Sequence, residues 1–116
     1  MTGIPALALG RARKNKYGAV RCELDGFTFD SRAEMRHYCE LALRVKAREI
    51  RNLSVHPEYP ISINGIEVCR VVMDFSYTDR AGAPHVVDVK GRDNPLSRLK
   101  RKLFEAYTGL KVEIVR

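Results

Sequence analysis

Apolar and polar positions alternate in short stretches along most of the chain, and the points where the period changes mark its elements. Val20, Cys22 and Leu24 alternate, and Phe27 and Phe29 resume the pattern across Asp25-Gly26, a dipeptide suited to a two-residue hairpin turn. A short β-hairpin therefore comes first. From Ser31 to about Ile50 there is no Gly or Pro, and Tyr38, Leu41, Ala42 and Val45 recur at helical spacing, which predicts a long amphipathic helix. Pro57 and Pro60 break that pattern, and Ile61 and Ile63 lead to Asn64-Gly65, a second turn signal. The run from Ile66 to Tyr77, rich in Val and aromatic residues, has the composition of a core strand. After a turn from Asp79 to Pro84, His85 to Lys90 is expected to be its hairpin partner. Leu96, Leu99, Leu103 and Tyr107 mark a second helix beyond the loop from Gly91 to Pro95, closed by Gly109 where a left-handed cap is favoured. Val112 and Ile114 give a last strand. The order after the hairpin is helix, three strands, helix, strand, an α/β or α+β class with helices packed against one sheet.

Length narrows this further, because 116 residues support one domain with one core. Residues 1–19 hold little pattern but carry Arg11, Arg13, Lys14 and Lys16, so they are expected to form a flexible basic arm ahead of a single domain at 20–116. No apolar run approaches the roughly 18 residues of a membrane span, and the short run at 4–9 precedes its basic cluster instead of following it, which argues against a signal peptide. A cytoplasmic protein is expected. Cys22, Cys39 and Cys69 are an odd, scattered set without a C-x-x-C pair, consistent with reduced small hydrophobes. Lys and Arg number 21 against 14 Asp and Glu, a formal charge of +7 that suits a polyanionic partner.

Against this background the informative residues are carboxylates placed where apolar side chains belong. Asp88 lies in Val86-Val87-Asp88-Val89-Lys90, and alternation puts Asp88 and Lys90 on one face with Cα atoms about 6.6 Å apart. For an isolated D-x-K, a same-face ion pair at a strand end is the better explanation. Asp74 interrupts Val71-Val72-Met73-Asp74-Phe75 on the preceding strand, where an ionised carboxylate is costly unless paired, hydrogen-bonded or bound to metal. If the two strands form a hairpin, Asp74 and Asp88 come together on one face and favour a divalent cation with oxygen ligands, Mg²⁺ or Mn²⁺ before zinc. Glu34 shares the helical stripe of Tyr38, Leu41 and Val45 and so faces inward, although Ser31-Arg32-Ala33-Glu34 also fits a capping box. His56, before Pro57, is a candidate neighbour of this group, and His37 and His85 have weaker cases. On the second helix Arg98, Lys100, Arg101 and Lys102 form a basic face that is either simply solvated or, with Arg92, a phosphate-binding surface beside the carboxylates.

Glu34 on the first helix, Asp74, and Asp88-Val89-Lys90, in this element order, resemble the PD-(D/E)XK nuclease superfamily from the hairpin to the C-terminus. Leu24-Asp25-Gly26-Phe27-Thr28-Phe29-Asp30-Ser31, Asp88-Val89-Lys90-Gly91 and Leu99-Lys100-Arg101-Lys102-Leu103-Phe104-Glu105 resemble more narrowly a family of small phage-encoded nuclease-like proteins related to Holliday-junction resolvases. His56 stands where that family often has Gln, and Asp88 where the superfamily more often has Glu.

The resemblance implies a restriction-endonuclease-like core, a central mixed sheet flanked by helices, and metal-dependent DNA cleavage in a bacterial or phage-infected cell. Asp74, Asp88 and the Val89 carbonyl would hold Mg²⁺, with Mn²⁺ able to substitute and Glu34 binding directly or through water. Lys90 would orient and help deprotonate the attacking water. Arg11, Arg13, Lys14, Lys16, Arg92, Arg98, Lys100, Arg101 and Lys102 would hold the DNA backbone. Branched or structured DNA and a homodimer are implied, because resolving a junction needs two symmetric cuts. The alternatives are a non-catalytic nucleic-acid-binding module that keeps the fold, and a small basic structural protein. The three acids beside a basic surface count against both.

Overall fold

A computed structural model describes residues 11–14 and 20–116. The described part is a mixed α+β fold built around a four-stranded mixed sheet with two helices. The opening hairpin forms as its sequence dictates: β2 (Val20–Leu24) and β3 (Phe27–Phe29) pair antiparallel with Leu24 opposite Phe27. Asp25 and Gly26 take φ of 54° and 82°, the double left-handed turn that matches strand twist. Ahead of it β1 (Arg11–Lys14) pairs with β2, so the part of the expected arm bearing Arg11, Arg13 and Lys14 lies at a sheet edge. Residues 1–10 and 15–19, with Lys16, lie outside the described residues.

Helix α1 (Arg32–Lys46) starts at Ser31, whose hydroxyl accepts from the Glu34 N–H at 3.1 Å. It ends short of the expected Ile50. Ala47 caps it and Arg48 turns left-handed at φ 62°, and Ile50, buried at 3 % exposure, begins β4 (Ile50–Val55) instead. That strand carries no alternation signal because Asn52, at φ 57°, breaks its register with β7 between Arg51 and Ser54.

The expected single strand from Ile66 to Tyr77 is two. After β5 (Glu58–Ile63) and a left-handed Asn64-Gly65 turn, β6 (Ile66–Val72) pairs with β5, whereas β7 (Phe75–Asp79) pairs with β4 and with β8 (Pro84–Val89). In effect β4–β5 and β6–β7 are the two arms of one long hairpin bent sharply in the middle. The bend lies at His56-Pro57 on one arm and Met73-Asp74 on the other, stitched by Met73 N–H to Pro57 O at 3.0 Å and His56 N–H to Asp74 O at 2.9 Å. Helix α2 (Pro95–Thr108) follows, capped by the Asn94 side chain and closed by Gly109 at φ 78°. It leads into β9 (Val112–Val115), parallel to β8. The central sheet has the order β4-β7-β8-β9.

Successive β8 residues serve opposite faces. Val87 joins Phe75, Tyr77, Tyr38, Leu41 and Phe29 in a core beneath α1 and the opening hairpin. Val86 joins Ile61, Val71, Met73 and Phe104 in a second core beneath α2 and the β5–β6 hairpin. One helix thus covers each face. The expected apolar stripe of α2 is overturned: Leu96, Leu99 and Tyr107 are exposed, and Phe104 is the buried anchor with Leu103 beside it. Phe104 packs edge-on against Tyr59 at 4.8 Å, and Arg101 reaches Asp93 and Asp88. Cys22, Cys39 and Cys69 are free thiols. Among the described residues no helix is long and apolar enough to cross a membrane.

Candidate metal centre

The bend in the long hairpin assembles the site. His56 sits at its outer corner in a left-handed conformation at φ 54°, uncommon for a residue with a side chain and here fixed by its N–H bond to the Asp74 carbonyl. Its ring rests 5.9 Å from that of fully buried Phe29 and turns its Nε2 to Glu34 Oε1 at 2.7 Å. Glu34 reaches this point from the first turn of α1, so its carboxylate does not fold back onto the helix end. The capping box is half made: Ser31 accepts from Glu34, and the Glu34 side chain is committed to His56.

Asp74, at the inner corner, extends the β7–β8 register beyond the Phe75–Val87 pair and so stands beside Asp88. Its N–H donates to Val87 O at 3.1 Å, and its Oδ2 accepts from the Val89 N–H at 2.6 Å. The peptide nitrogen inside Asp88-Val89-Lys90 therefore fixes the rotamer of the carboxylate on the neighbouring strand. Asp88, 8 % exposed, directs Oδ2 to Lys90 Nζ at 3.3 Å and Arg101 Nη1 at 3.7 Å. Arg101 is in turn held by both oxygens of Asp93, at 3.2 and 2.6 Å.

Glu34, His56 and Asp74 present ligand atoms that all lie within 4.8 Å of one another. Ligands on opposite sides of one ion with bonds of about 2.1 Å stand about 4.2 Å apart, so the group is already close to the size of a coordination sphere. Its electrostatics ask for positive charge. Burial pushes the Asp74 carboxyl up to about 8, and the charge of Glu34 and the nearness of Asp88 push the same way, against the Val89 N–H that favours the ionised form. Burial also raises Glu34, opposed by its bond and attraction to His56. Two oxygen donors and an imidazole nitrogen suit Mn²⁺ at least as well as Mg²⁺, since imidazole is a poor partner for the harder ion.

Residues 14–116 match the family described as "protein of unknown function (DUF1064)". The chain belongs to that family. Comparison with curated proteins and with solved structures finds no match.

Of the residues singled out from sequence, the fold brings together Glu34, His56, Asp74, Asp88, Val89 and Lys90. Lys100 and Arg101 are partly buried beside them, while Arg92, Arg98 and Lys102 face solvent. His37 packs against Phe75, its ring 5.7 Å away, and pairs with Glu40 at 3.5 Å. His85 belongs to a separate cluster on the far part of the sheet, with Asp79 at 2.7 Å and Glu113 at 2.5 Å. Sequence reasoning missed one cation: Arg70, on the exposed side of β6, lines the same cleft as Asp88, Lys90, Lys100 and Arg101. Its place among alternating exposed residues at the end of β6 was the available signal.

Proposed function

We propose that this chain is a metal-dependent DNA endonuclease of the PD-(D/E)XK type, with Glu34, Asp74, Asp88 and Lys90 as its catalytic residues. The observation that carries the reading is the convergence of buried Glu34 and half-buried Asp74 on one point, one strand away from the Asp88-Val89-Lys90 segment that fixes Asp74. A helix on each face of a mixed sheet, as a restriction-endonuclease-like core requires, supports it.

Asp74, Glu34 and His56 would hold the cation, Mg²⁺ or Mn²⁺, with Asp88 and the Val89 carbonyl completing the set. When bound, the ion supplies Lewis-acid stabilisation of charge on the phosphate. The protein's own groups do the rest. The Val89 N–H holds Asp74 in place, and Asp88 holds the Lys90 ammonium at the rim, where it orients the attacking water and stabilises the hydroxide that forms as the water's proton passes to solvent. By its resemblance to junction resolvases the chain would cut branched DNA as a homodimer, each copy supplying one site.

The test is direct. Four-way junction, flapped and linear duplex DNA are incubated with Mg²⁺, Mn²⁺ or EDTA, using wild type, Asp88→Asn and Lys90→Ala. Metal-dependent nicking by wild type alone is expected. Binding without cleavage under both metals would replace the enzyme with a nucleic-acid-binding module that keeps the fold.

A further inference from the structure

Beside the carboxylates, between β6 and the first turns of α2, lies a cleft of about 240 Å³ lined by Arg70, Val71, Val72, Met73, Asp88, Lys90, Ser97, Lys100 and Arg101. Its size, lining and charge describe its ligand. Pockets that enclose a whole small molecule run from about 300 to 1,000 Å³, so this one suits a fragment of a longer chain. Four cations face one acid. Lys90 and Arg101 are engaged with Asp88 and Asp93. Arg70 is held only by exposed Glu58 and Glu67 at 3.4 and 3.3 Å, pairings that solvent screens and that a phosphate can displace. Lys100 lines the same cleft from α2, where Arg70 lines it from β6. The two walls therefore offer cations to an anion lying between them.

The lining lacks a feature that single-stranded nucleic acids use. Single strands are held by stacking their bases on aromatic side chains, at about 1–3 kcal/mol per base, and none of the residues lining this cleft is aromatic. The apolar part of the wall is Val71, Val72 and Met73, of which Val71 and Met73 are buried. A base gains little there, whereas a phosphodiester backbone gains paired charges.

We infer that the β6–α2 cleft grips the phosphate backbone of a DNA duplex next to the carboxylate centre, with Arg70 and Lys100 as its two jaws. This rests on the reading that the chain acts on DNA, and it names duplex backbone as the form held at the site. Arg70 belongs to the bent hairpin and Lys100 to α2, so the grip spans the two elements of the second core. Phosphate grips of this kind bind without regard to sequence and weaken with salt.

The experiment measures binding by fluorescence anisotropy in EDTA, where metal-dependent cutting is blocked, using a 20-base-pair duplex and a 20-nucleotide oligo(dT). Wild type is compared with Arg70→Ala/Lys100→Ala and with Arg51→Ala/Arg80→Ala, which removes equal charge at the far end of the central sheet. Circular dichroism confirms that each variant is folded. Wild type is expected to prefer the duplex at matched salt. The cleft variant should bind duplex at least tenfold more weakly and flatten the slope of log K against log salt by about 1.8, or 0.9 for each phosphate that is no longer neutralised. The control pair should change affinity by less than threefold. Tighter binding of oligo(dT), or equal weakening in the two variants, would overturn the proposal. Wild type that binds duplex through the cleft yet cleaves nothing would sink the nuclease reading and leave this one standing, while cleavage with an unaltered cleft variant would do the reverse.

Discussion

Two clusters on one sheet share a composition and differ in every consequence. Glu34, His56 and Asp74 gather at the bend of the long hairpin, and Asp79, His85 and Glu113 gather where the β7–β8 turn meets β9. Each has two carboxylates and one imidazole. In the second, the acids stand on opposite sides of the ring and each nitrogen has its own partner, while Tyr77 stacks flat on the ring at 4.8 Å. The pKa of His85 is raised by its bonds to Asp79 and Glu113, and that of Asp79 is lowered chiefly by His85. In that cluster both ring nitrogens are paired, and it is a clip. In the first, the acids converge on one side, burial pushes Asp74 up to about 8, and a single imidazole nitrogen faces them, 2.7 Å from Glu34 Oε1. Convergence and burial, not residue type, make two acids and a histidine a candidate cation site.

The sharpest way to break the contrast is to remove the rim cation. Lys90→Ala should slow DNA cleavage about 10²–10³-fold, the range of one lost donor to developing negative charge, whereas His85→Gln should leave the rate within twofold in the same plasmid-nicking assay. Next in size, His56→Ala should weaken Mn²⁺ binding about 10–100-fold in a calorimetric titration, because loss of a ligand's fixed orientation costs that much even where the side chain does not itself ligate. Equal affinity in the variant would reduce His56 to packing against Phe29.

Asp74→Asn tests the frustration itself. A carboxyl whose folded pKa is raised destabilises the fold progressively as pH climbs through and beyond its unfolded value, since the native state then holds the proton more tightly than the unfolded chain. Thermal unfolding at pH 8 without metal should therefore find the Asn variant as stable as wild type or more so, with its amide oxygen still accepting from Val89. Saturating Mn²⁺, at 100 times its Kd, should stabilise wild type by about 2.7 kcal/mol and the variant far less.

The smallest effect belongs to the clip. A histidine whose folded pKa is raised contributes stability that is complete below its unfolded value near 6.5 and disappears as pH rises through the folded value. The melting-temperature gap between wild type and His85→Gln should be widest near pH 6 and close toward pH 9. A gap that widens with pH would contradict the assigned ion pairs.

What was legible in the sequence was local. Asp25-Gly26, Asn64-Gly65 and Gly109 need positive φ and so announced their turns, and Ser31 announced the start of α1. The bend was not legible, because Met73-Asp74 continues an apolar run and changes sheets only through its hydrogen bonds to His56-Pro57, a partner well upstream in the chain. Asp74 was legible as an anomaly, Glu34 by its place on the inward stripe of α1 and His56 as a candidate neighbour, whereas the single point at which they meet depended on tertiary structure. The face of α2 was misplaced because a helix of mixed Leu and basic residues offers two stripes, and the one that is buried runs through Phe104 and Leu103, whose partners Tyr59, Ile61 and Val71 lie far upstream in the chain.

The central claim is that the hairpin bend holds a divalent cation that the distant clip does not. Titration of Mn²⁺ followed by electron paramagnetic resonance, in which protein binding depletes the free-ion signal, measures this without depending on any substrate. Wild type and His85→Gln should both show saturable binding, and Glu34→Gln/Asp74→Asn should show none. An undiminished free-ion signal with folded wild type, or full binding by the double variant, would contradict the account.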